Sequence, residues 1–245
     1  MRYLFSLLFA TLFATAALAG ENISYSVDGQ SYEGYFIKTK PDAPMVLLVH
    51  DWDGLTDYEV KRAQMLAELG YSVFAVDLFG AGVRPTKVED RRQHTGELYK
   101  DRQKMRKLLH GALDTAKAQG LNTGNVVAAG YCFGGAAVLE LARSGADLKG
   151  FVTFHGGLAT PEGQDYTDVK GEIIVFHGTA DTAISMAEFA ALADELEKAD
   201  ADHEMIAYSK ALHAFTVFDS ADRYNQKADE KSWSRFLAFL EEKLR

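Results

Sequence analysis

The chain has 245 residues, of which 47% are hydrophobic and 25% are charged, a composition that is typical of a globular protein and excludes intrinsic disorder. Its formal net charge is -9, and it has no cluster of Lys and Arg that could neutralise a row of phosphates, so a nucleic-acid partner is not expected. The single cysteine, Cys132, excludes an intramolecular disulfide and a thiolate zinc site.

The first 19 residues have the pattern of a secretory signal peptide. Arg2 precedes an apolar stretch from Tyr3 to Phe13, and Ala17-Leu18-Ala19 fits the small-residue cleavage pattern. The stretch is shorter than the about 20 residues that a transmembrane helix needs, which argues against the alternative of an uncleaved membrane anchor. We therefore expect residues 1–19 to be removed on export, and residues 20–245 to be periplasmic or secreted, without membrane contact.

The mature sequence opens with a hairpin and continues with short apolar runs. Ile23–Val27 and Tyr32–Ile37 flank Asp28-Gly29, a dipeptide that tolerates the positive φ angles of a type I′ turn. The runs that follow lack polar alternation, as expected for parallel strands covered on both faces. They are Val46–Val49, Val73–Val76, Val126–Ala129, Phe151–Phe154, Ile173–Phe176 and Met205–Tyr208.

Helical patterns separate most of these runs. Apolar residues at helical spacing precede Gly70 and Gly120, and Ser185-Met186-Ala187-Glu188 has the sequence of a capping box. A last amphipathic pattern runs from Trp233 to Leu244. The alternation of strands and helices predicts a single α/β domain that has a mostly parallel sheet, helices on both faces and an N-terminal β-hairpin.

Polar residues follow the predicted strands at their carboxyl ends, where open parallel sheets bind their ligands. They are His50 and Asp51, Asp77, Tyr131 and Cys132, His155, His177 and Asp181, and His213. The histidines do not have the H-x-x-x-H or H-E-x-x-H spacing of a metal site, and we expect neither a metal nor a cofactor.

Cys132 stands in Gly130-Tyr131-Cys132-Phe133-Gly134-Gly135, which has the G-x-nucleophile-x-G spacing of a nucleophile elbow. The glycines remove Cβ atoms that a sharp strand-to-helix turn would press together. Such a turn places Cys132 at a helix N-terminus, whose partial positive charge favours the thiolate. The alternative is that Cys132 is a small buried hydrophobic residue, since free cysteines are often buried.

An acid and a histidine follow Cys132 in the chain order that such an elbow predicts. Asp181 comes after the fifth apolar run, and His213 comes after the sixth. His213 can act as base to Cys132, while Asp181 fixes the tautomer of the imidazole. The alternatives are a helix-capping role for Asp181 and a surface-loop position for His213. His50 and His155 are interpreted as pocket wall or packing.

With these motifs, the chain resembles the dienelactone hydrolase family, a branch of the α/β-hydrolases with a Cys-Asp-His triad. The resemblance covers most of the mature chain. It implies an α/β-hydrolase fold and a small-molecule ester or lactone substrate, with Cys132, Asp181 and His213 as nucleophile, acid and base. It also implies that the backbone N–H groups of Phe133 and Trp52 form an oxyanion hole.

Two positions depart from the family pattern. Asp51 stands where the family usually has a glutamate that contacts the resting thiol, so its side chain is one methylene shorter. Val217 stands where the enzyme that names the family has an arginine for the carboxylate of its substrate. Arg84, in the loop after the second buried run, is the obvious substitute cation, and Tyr131 and His155 are further candidates for substrate contact.

The leading hypothesis is an exported cysteine-dependent hydrolase of carboxylic esters, lactones or thioesters that acts through an acyl-enzyme, as a monomer or weak dimer. A binding protein that keeps the fold without turnover is an alternative from another class. A redox-sensitive thiol protein is a third, since an exposed thiol of low pKa is readily oxidised, although the chain has no second cysteine to resolve the oxidised form.

The signal-peptide hypothesis can be tested by mass. When the full sequence is expressed in a host that exports it, the exported fraction should contain a protein with the mass of residues 20–245, because cleavage follows Ala19. Intact-mass spectrometry makes the measurement. A soluble exported chain that still begins at Met1 would contradict the hypothesis.

Overall fold

The structure, a computed structural model, describes residues 20–245, and the predicted signal peptide lies outside the described residues. Eight strands and six helices occupy this range. The strands are β1 (Glu21–Val27), β2 (Gln30–Ile37), β3 (Met45–Val49), β4 (Ser72–Val76), β5 (Val126–Tyr131), β6 (Gly150–Phe154), β7 (Glu172–Gly178) and β8 (His203–Tyr208). The helices are α1 (Asp57–Glu68), α2 (Val88–Lys100), α3 (Arg102–Ala118), α4 (Phe133–Arg143), α5 (Met186–Lys198) and α6 (Gln226–Leu244).

The strands form one sheet in the order β1-β2-β4-β3-β5-β6-β7-β8. Strands β3 to β8 are parallel, whereas β1 pairs antiparallel with β2, and β2 pairs antiparallel with β4. The hairpin turn has φ values of 51° at Asp28 and 78° at Gly29, which agree with the predicted type I′ turn. The mostly parallel sheet and the N-terminal hairpin are thus confirmed.

Helices cover both faces of the sheet, and each face has its own apolar core. Helices α3, α4 and α5 contribute to one core, for example through Leu139, and α1 and α6 contribute to the other, for example through Leu66. Successive residues of β3 point to opposite faces, so Leu47 belongs to the first core and Leu48 to the second. None of the helices within residues 20–245 is both long and apolar enough to cross a membrane.

Two elements differ from the expectation based on the sequence. Strand β8 lies at an edge of the sheet, and most of its residues are half-buried. Met205 packs against the first core and Ile206 against the second, so both faces of β8 are covered only in part. Helix α2 was not predicted. Its buried residues are Thr95 and Leu98, which are too few to form the apolar stripe by which an amphipathic helix is recognised.

Glycines bring α4 unusually close to the sheet. A Cβ on Gly134 would overlap the backbone carbonyls of Val49 and His50, and a Cβ on Gly130 would overlap the backbone of Gly134. The helical Gly96 of α2 is different, because a Cβ there would meet no atom within 4 Å. Gly134 and Gly96 are therefore two helical glycines of which only Gly134 is in close contact with the sheet, and the same substitution can be compared at both.

Alanine at these two positions should have opposite effects on the free energy of unfolding. Gly96→Ala should raise it by about 0.5–1 kcal/mol, because alanine is the better helix former and its methyl group meets nothing. Gly134→Ala should lower it by about 3 kcal/mol, because the helix and the strand must move apart. Urea unfolding measures both variants, and a loss of the same size in each would contradict the close approach of α4.

Candidate active site

Cys132 lies at the sharp turn between β5 and α4. Its φ of 50° is in the left-handed region, which a non-glycine residue occupies at a cost of about 1–3 kcal/mol. The N–H of Cys132 donates to the carbonyl of Phe154 at 3.0 Å, and its carbonyl accepts from the N–H of Gly135 at 3.1 Å. These bonds hold the thiol at the carboxyl end of the sheet, in the geometry of a nucleophile elbow.

Three side chains form a hydrogen-bonded chain at this edge of the sheet. Nε2 of His213 lies 3.1 Å from Sγ of Cys132, and Nδ1 of His213 lies 2.8 Å from Oδ2 of Asp181. Because a carboxylate only accepts hydrogen bonds, Nδ1 carries the proton and Nε2 is free to accept the proton of the thiol. The structure thus brings together the three residues that the sequence analysis selected from three separate loops.

Asp181 is buried, and both of its oxygens have partners. Oδ1 accepts from the N–H groups of Ala183 at 2.8 Å and Ile184 at 2.9 Å, while Oδ2 faces His213. Burial works to raise the pKa of Asp181, but the hydrogen bonds from His213 and the two N–H groups outweigh it and hold the pKa below its ordinary value. Asp181 is therefore a carboxylate at neutral pH and can stabilise an imidazolium.

The pKa of the Cys132 thiol is raised, in contrast to the expectation from its place at a helix N-terminus. Burial is the largest cause, and the nearby Asp51 carboxylate adds to it. The N–H of Phe133 acts in the opposite direction, but this donor does not compensate for the loss of water. The thiol is therefore neutral at rest, and Nε2 of His213 is the group placed to take its proton.

Asp51 is buried in the loop after β3, and no hydrogen bond joins it to the thiol. Its Oδ1 accepts from the N–H of Asp53 at 3.4 Å, and its own N–H donates to Glu59 at 3.3 Å. Burial raises the pKa of Asp51 well above its ordinary value and raises the pKa of Glu59 to about 7. His50 holds this loop, since Nδ1 donates to the carbonyl of Asp51 at 2.6 Å and Nε2 accepts from the N–H of Leu78 at 3.1 Å.

The oxyanion hole expected from the resemblance consists of the N–H groups of Phe133 and Trp52. Phe133 is the first residue of α4, and its N–H contacts the thiol. Trp52 lies in the turn after β3, and its N–H donates no hydrogen bond to another residue of the described range. The guanidinium of Arg91 stacks over the indole ring at 5.2 Å. Both N–H groups can therefore donate to a substrate oxygen.

The other sequence candidates have different positions. Tyr131 is completely buried and stacks on Phe154 at 4.7 Å, so its side chain belongs to the core and has no surface for a substrate. His155 is also completely buried and packs against His213, with 5.5 Å between the ring centroids. The expectation that Tyr131 and His155 contact the substrate is therefore not supported by their burial.

A cavity of about 610 Å³ lies next to the Asp51 loop. Its lining includes Arg84, Val217 and the carboxylates of Glu33, Asp51, Asp53, Asp57 and Asp219. The Arg84 guanidinium donates to the carbonyls of Val83 at 2.8 Å and Glu33 at 3.5 Å, and it lies 3.8 Å from the Asp77 carboxylate. Arg84 thus reaches the cavity, but the cavity is predominantly acidic and its arginine already has partners.

Two residues near the site were not selected from the sequence. Tyr99 on α2 packs edge-on against Phe133 at 5.4 Å, and burial and the neighbouring Cys132 raise the pKa of its hydroxyl. Thr216, three residues after His213, is completely buried. Tyr99 was missed because α2 lacks an apolar stripe, and Thr216 was missed because a buried threonine has no sequence signature.

His50 and His155, two of the histidines near the site, have hydrogen-bond partners within the protein. His50 uses both ring nitrogens on backbone groups, and Nε2 of His155 lies 2.8 Å from the Thr216 hydroxyl. Within residues 20–245, no three side chains of His, Cys, Asp and Glu form a group that could hold a metal ion.

Removal of the Asp51 charge should make Cys132 more reactive. Asp51→Asn removes a carboxyl group whose negative charge raises the pKa of the thiol, so the midpoint of iodoacetamide alkylation should move to lower pH. Asp51→Glu should slow alkylation, because the longer side chain brings its charge closer to the thiol. The exposed Asp57 provides the control, Asp57→Asn. An unchanged profile in Asp51→Asn, or an equal shift in the control, would contradict the prediction.

In sequence and in structure, the chain is similar to dienelactone hydrolases and related proteins. Residues 33–244 match the profile of the dienelactone hydrolase family. A Yersinia pestis protein named "Putative carboxymethylenebutenolidase" is 25% identical over 214 residues, which cover 81% of this chain and 79% of that protein. The solved structure named m3DLH has a TM-score of 0.88 at 31% identity, with 94% of this chain and 100% of that chain covered. The dienelactone hydrolase-like promiscuous phosphotriesterase P91 from metagenomic libraries has a TM-score of 0.86 at 29% identity, with the same coverage.

The matched range agrees with the geometry of the site. It extends from β2 to α6 and includes the Cys132 elbow, Asp181 and His213. The sheet with helices on both faces is that of the α/β-hydrolases, so the fold expected from the resemblance is confirmed. The chain therefore belongs to the dienelactone hydrolase family and is an ester-bond hydrolase.

Proposed function

We propose that the protein is an exported cysteine-dependent hydrolase of carboxylic esters and lactones that acts through an acyl-enzyme. The observation that carries the proposal is the hydrogen-bonded chain from Cys132 through His213 to Asp181. Nucleophilic acyl transfer uses this arrangement, in which a base bonded to the nucleophile is itself oriented by a carboxylate. Membership of the family indicates a small-molecule ester as substrate.

Attack begins with proton transfer from the thiol to His213. Sγ of Cys132 forms a bond to the ester carbonyl carbon while Nε2 takes the proton, and the Asp181 carboxylate stabilises the imidazolium. The carbonyl electrons move to the oxygen, which the N–H groups of Phe133 and Trp52 then stabilise. Donors placed in this way act on charge that appears only in the transition state, and each is worth about 10²–10³ in kcat.

The tetrahedral intermediate collapses when the bond to the leaving alkoxide breaks. His213 returns its proton to this oxygen, an alcohol leaves, and Cys132 holds the acyl group as a thioester. A water molecule then attacks the thioester carbonyl while His213 takes one of its protons. The C–S bond breaks, the sulfur recovers the proton from His213, and a carboxylic acid is released.

The proposal includes a location and a set of partners. The signal-peptide pattern of residues 1–19 supports export to the periplasm or beyond the cell. The net charge of -9 argues against a nucleic-acid partner. The mature chain acts on its small substrate without a cofactor or membrane contact, as a monomer or weak dimer.

Other roles would use the same cysteine. A thioesterase would form the same acyl-enzyme from a thioester. A redox-sensitive thiol protein would instead oxidise Cys132, but the raised pKa of the thiol argues against this role, because the thiolate is the form that oxidises. Ester hydrolysis that is abolished by alkylation of Cys132 distinguishes the hydrolase from a redox protein and from a binding protein without turnover.

Each triad residue should be required for hydrolysis of a chromogenic short-chain ester. Cys132→Ala and His213→Ala should each lower kcat by about 10⁴-fold, and Asp181→Asn by at least about 10²-fold, without loss of the folded state. The double variant Cys132→Ala/His213→Ala should be hardly worse than either single variant, because the residues act as a unit. Steady-state kinetics and circular dichroism make the measurements. Multiplicative losses, or wild-type activity in Cys132→Ala, would refute the assignment.

Neutral esters and lactones should be better substrates than carboxylate-bearing analogues of equal size. The cavity beside Asp51 is predominantly acidic and its Arg84 is already partnered, whereas an unpaired buried carboxylate costs several kcal/mol. We expect a kcat/KM ratio of at least about tenfold in favour of the neutral compound, and no change of this ratio in Arg84→Ala. A preference for the carboxylate that is lost in Arg84→Ala would instead assign Arg84 as an anion clamp.

A further inference from the structure

The loop that carries His213 contains a strained turn. Ala214, directly after His213, has a φ of 61°, a conformation that persists in a non-glycine residue only where surrounding contacts enforce it. The N–H of Val217 donates to the carbonyl of Ala214 at 3.1 Å, and the N–H of Asn225 donates to the carbonyl of Phe215 at 3.0 Å. The position of His213 therefore depends on what holds the residues that follow it.

Thr216 is completely buried in this loop and has three hydrogen-bond partners. Its Oγ1 lies 2.7 Å from the hydroxyl of Tyr58 on α1 and 2.8 Å from Nε2 of His155. Its carbonyl accepts from Nη2 of Arg62 at 3.0 Å. These bonds attach the loop of His213 to α1 and to the residue that follows β6.

Arg62 is a charged side chain in an almost water-free position. It is 1% exposed and pairs with the buried carboxylate of Asp229 on α6, and its guanidinium lies 4.2 Å from the ring centroid of Phe218 and 4.9 Å from that of Trp233. A buried ion pair stabilises a fold no better than apolar side chains of the same volume, because both charges lose their water. In this protein, the pairing with Asp229 holds the Arg62 guanidinium in an orientation in which it donates to the carbonyl of Thr216.

His155 supports the imidazole of His213 from the other side. The two rings pack edge-on, with 5.5 Å between their centroids. Burial, and after it the neighbouring His213, hold the pKa of His155 well below its ordinary value, so its ring is neutral. A neutral ring does not repel the imidazolium that forms on His213, and the bond to Thr216 keeps that ring in place.

We propose that Thr216 and Arg62, with Asp229 as counter-ion, are positioning residues that hold His213 at hydrogen-bond distance from Cys132. The inference rests on the proposed function, in which His213 is the base. Thr216 and Arg62 act through the backbone of the loop and through His155, and they do not touch the reacting atoms. A displacement of about 1 Å in a catalytic group lowers rates by about 10²-fold, so loss of these bonds should appear in kcat.

Thr216→Val tests the hydroxyl, because valine has the same shape but cannot bond to Tyr58 or His155. We expect kcat for a neutral short-chain ester to fall at least about tenfold, with KM within about threefold of the wild-type value. Thr216→Ser keeps the hydroxyl and should retain kcat within about twofold. Alkylation of Cys132 by iodoacetamide at neutral pH should slow in Thr216→Val but not in Thr216→Ser, because a displaced imidazole no longer takes the thiol proton.

The double variant Arg62→Met/Asp229→Leu tests the bond to the Thr216 carbonyl without leaving an unpaired buried charge. Because both ions are removed together, the protein should remain folded, while kcat and the alkylation rate should each fall at least about tenfold. Glu140→Met/Arg143→Met is the control for removal of a buried ion pair, since this pair on α4 is 2.8 Å apart and its other hydrogen bonds go to Arg106, Gln164 and Tyr166, outside the His213 loop. Its kcat should stay within about twofold of the wild-type value.

These outcomes separate the inference from the proposed function. A lowered melting temperature with unchanged kcat and alkylation rate, in Thr216→Val or in Arg62→Met/Asp229→Leu, would show a purely structural role and overturn the inference. Equal kinetic losses in the Glu140→Met/Arg143→Met control would overturn it as well. If the wild-type protein hydrolyses no ester, the proposed function fails, but the alkylation rates still report whether these residues hold His213 against Cys132.

Discussion

The contact between α4 and the sheet determines where the reactive groups lie. Gly134 places the helix backbone against the carbonyls of Val49 and His50, at a distance that leaves no room for a Cβ. The chain can enter such a helix from β5 only through a sharp turn, so Cys132 takes a positive φ and its thiol stands beyond the strand ends. The same turn brings the N–H of Phe133 to the thiol, so one element positions both the nucleophile and the oxyanion donor of the proposed mechanism.

The parts of the fold and site that could be predicted have local signals in the sequence. The parallel strands appear as short apolar runs because helices cover both of their faces, and Asp28-Gly29 identifies the hairpin because few other residues accept two positive φ angles. The approach of Cys132, Asp181 and His213 could be predicted because the carboxyl ends of parallel strands meet at one edge of the sheet.

The remaining features of the site depend on contacts between segments that are far apart in the sequence, so no local sequence pattern predicts them. Tyr131 is adjacent to Cys132 in sequence, yet its side chain is buried in the core, where it stacks on Phe154 of the neighbouring strand. The helix N-terminus predicts a thiolate at Cys132, but burial and the Asp51 charge, which come from distant segments, raise the pKa of the thiol. The role that we infer for Thr216 likewise requires α1, α6 and the residue after β6 to meet at one point.

The two buried carboxyl groups beside β3 couple proton uptake to folding. The pKa of Glu59 is raised to about 7 and that of Asp51 is raised as well, so each binds its proton more tightly in the folded chain than in the unfolded chain. Their contribution to stability is therefore complete below the ordinary carboxyl pKa and is lost as pH rises, toward about 7 for Glu59. Glu59 also accepts the N–H of Asp51, the residue before Trp52. Acidic conditions thus favour the folded form of the loop that carries the Trp52 N–H, whereas alkaline conditions place two buried negative charges beneath it.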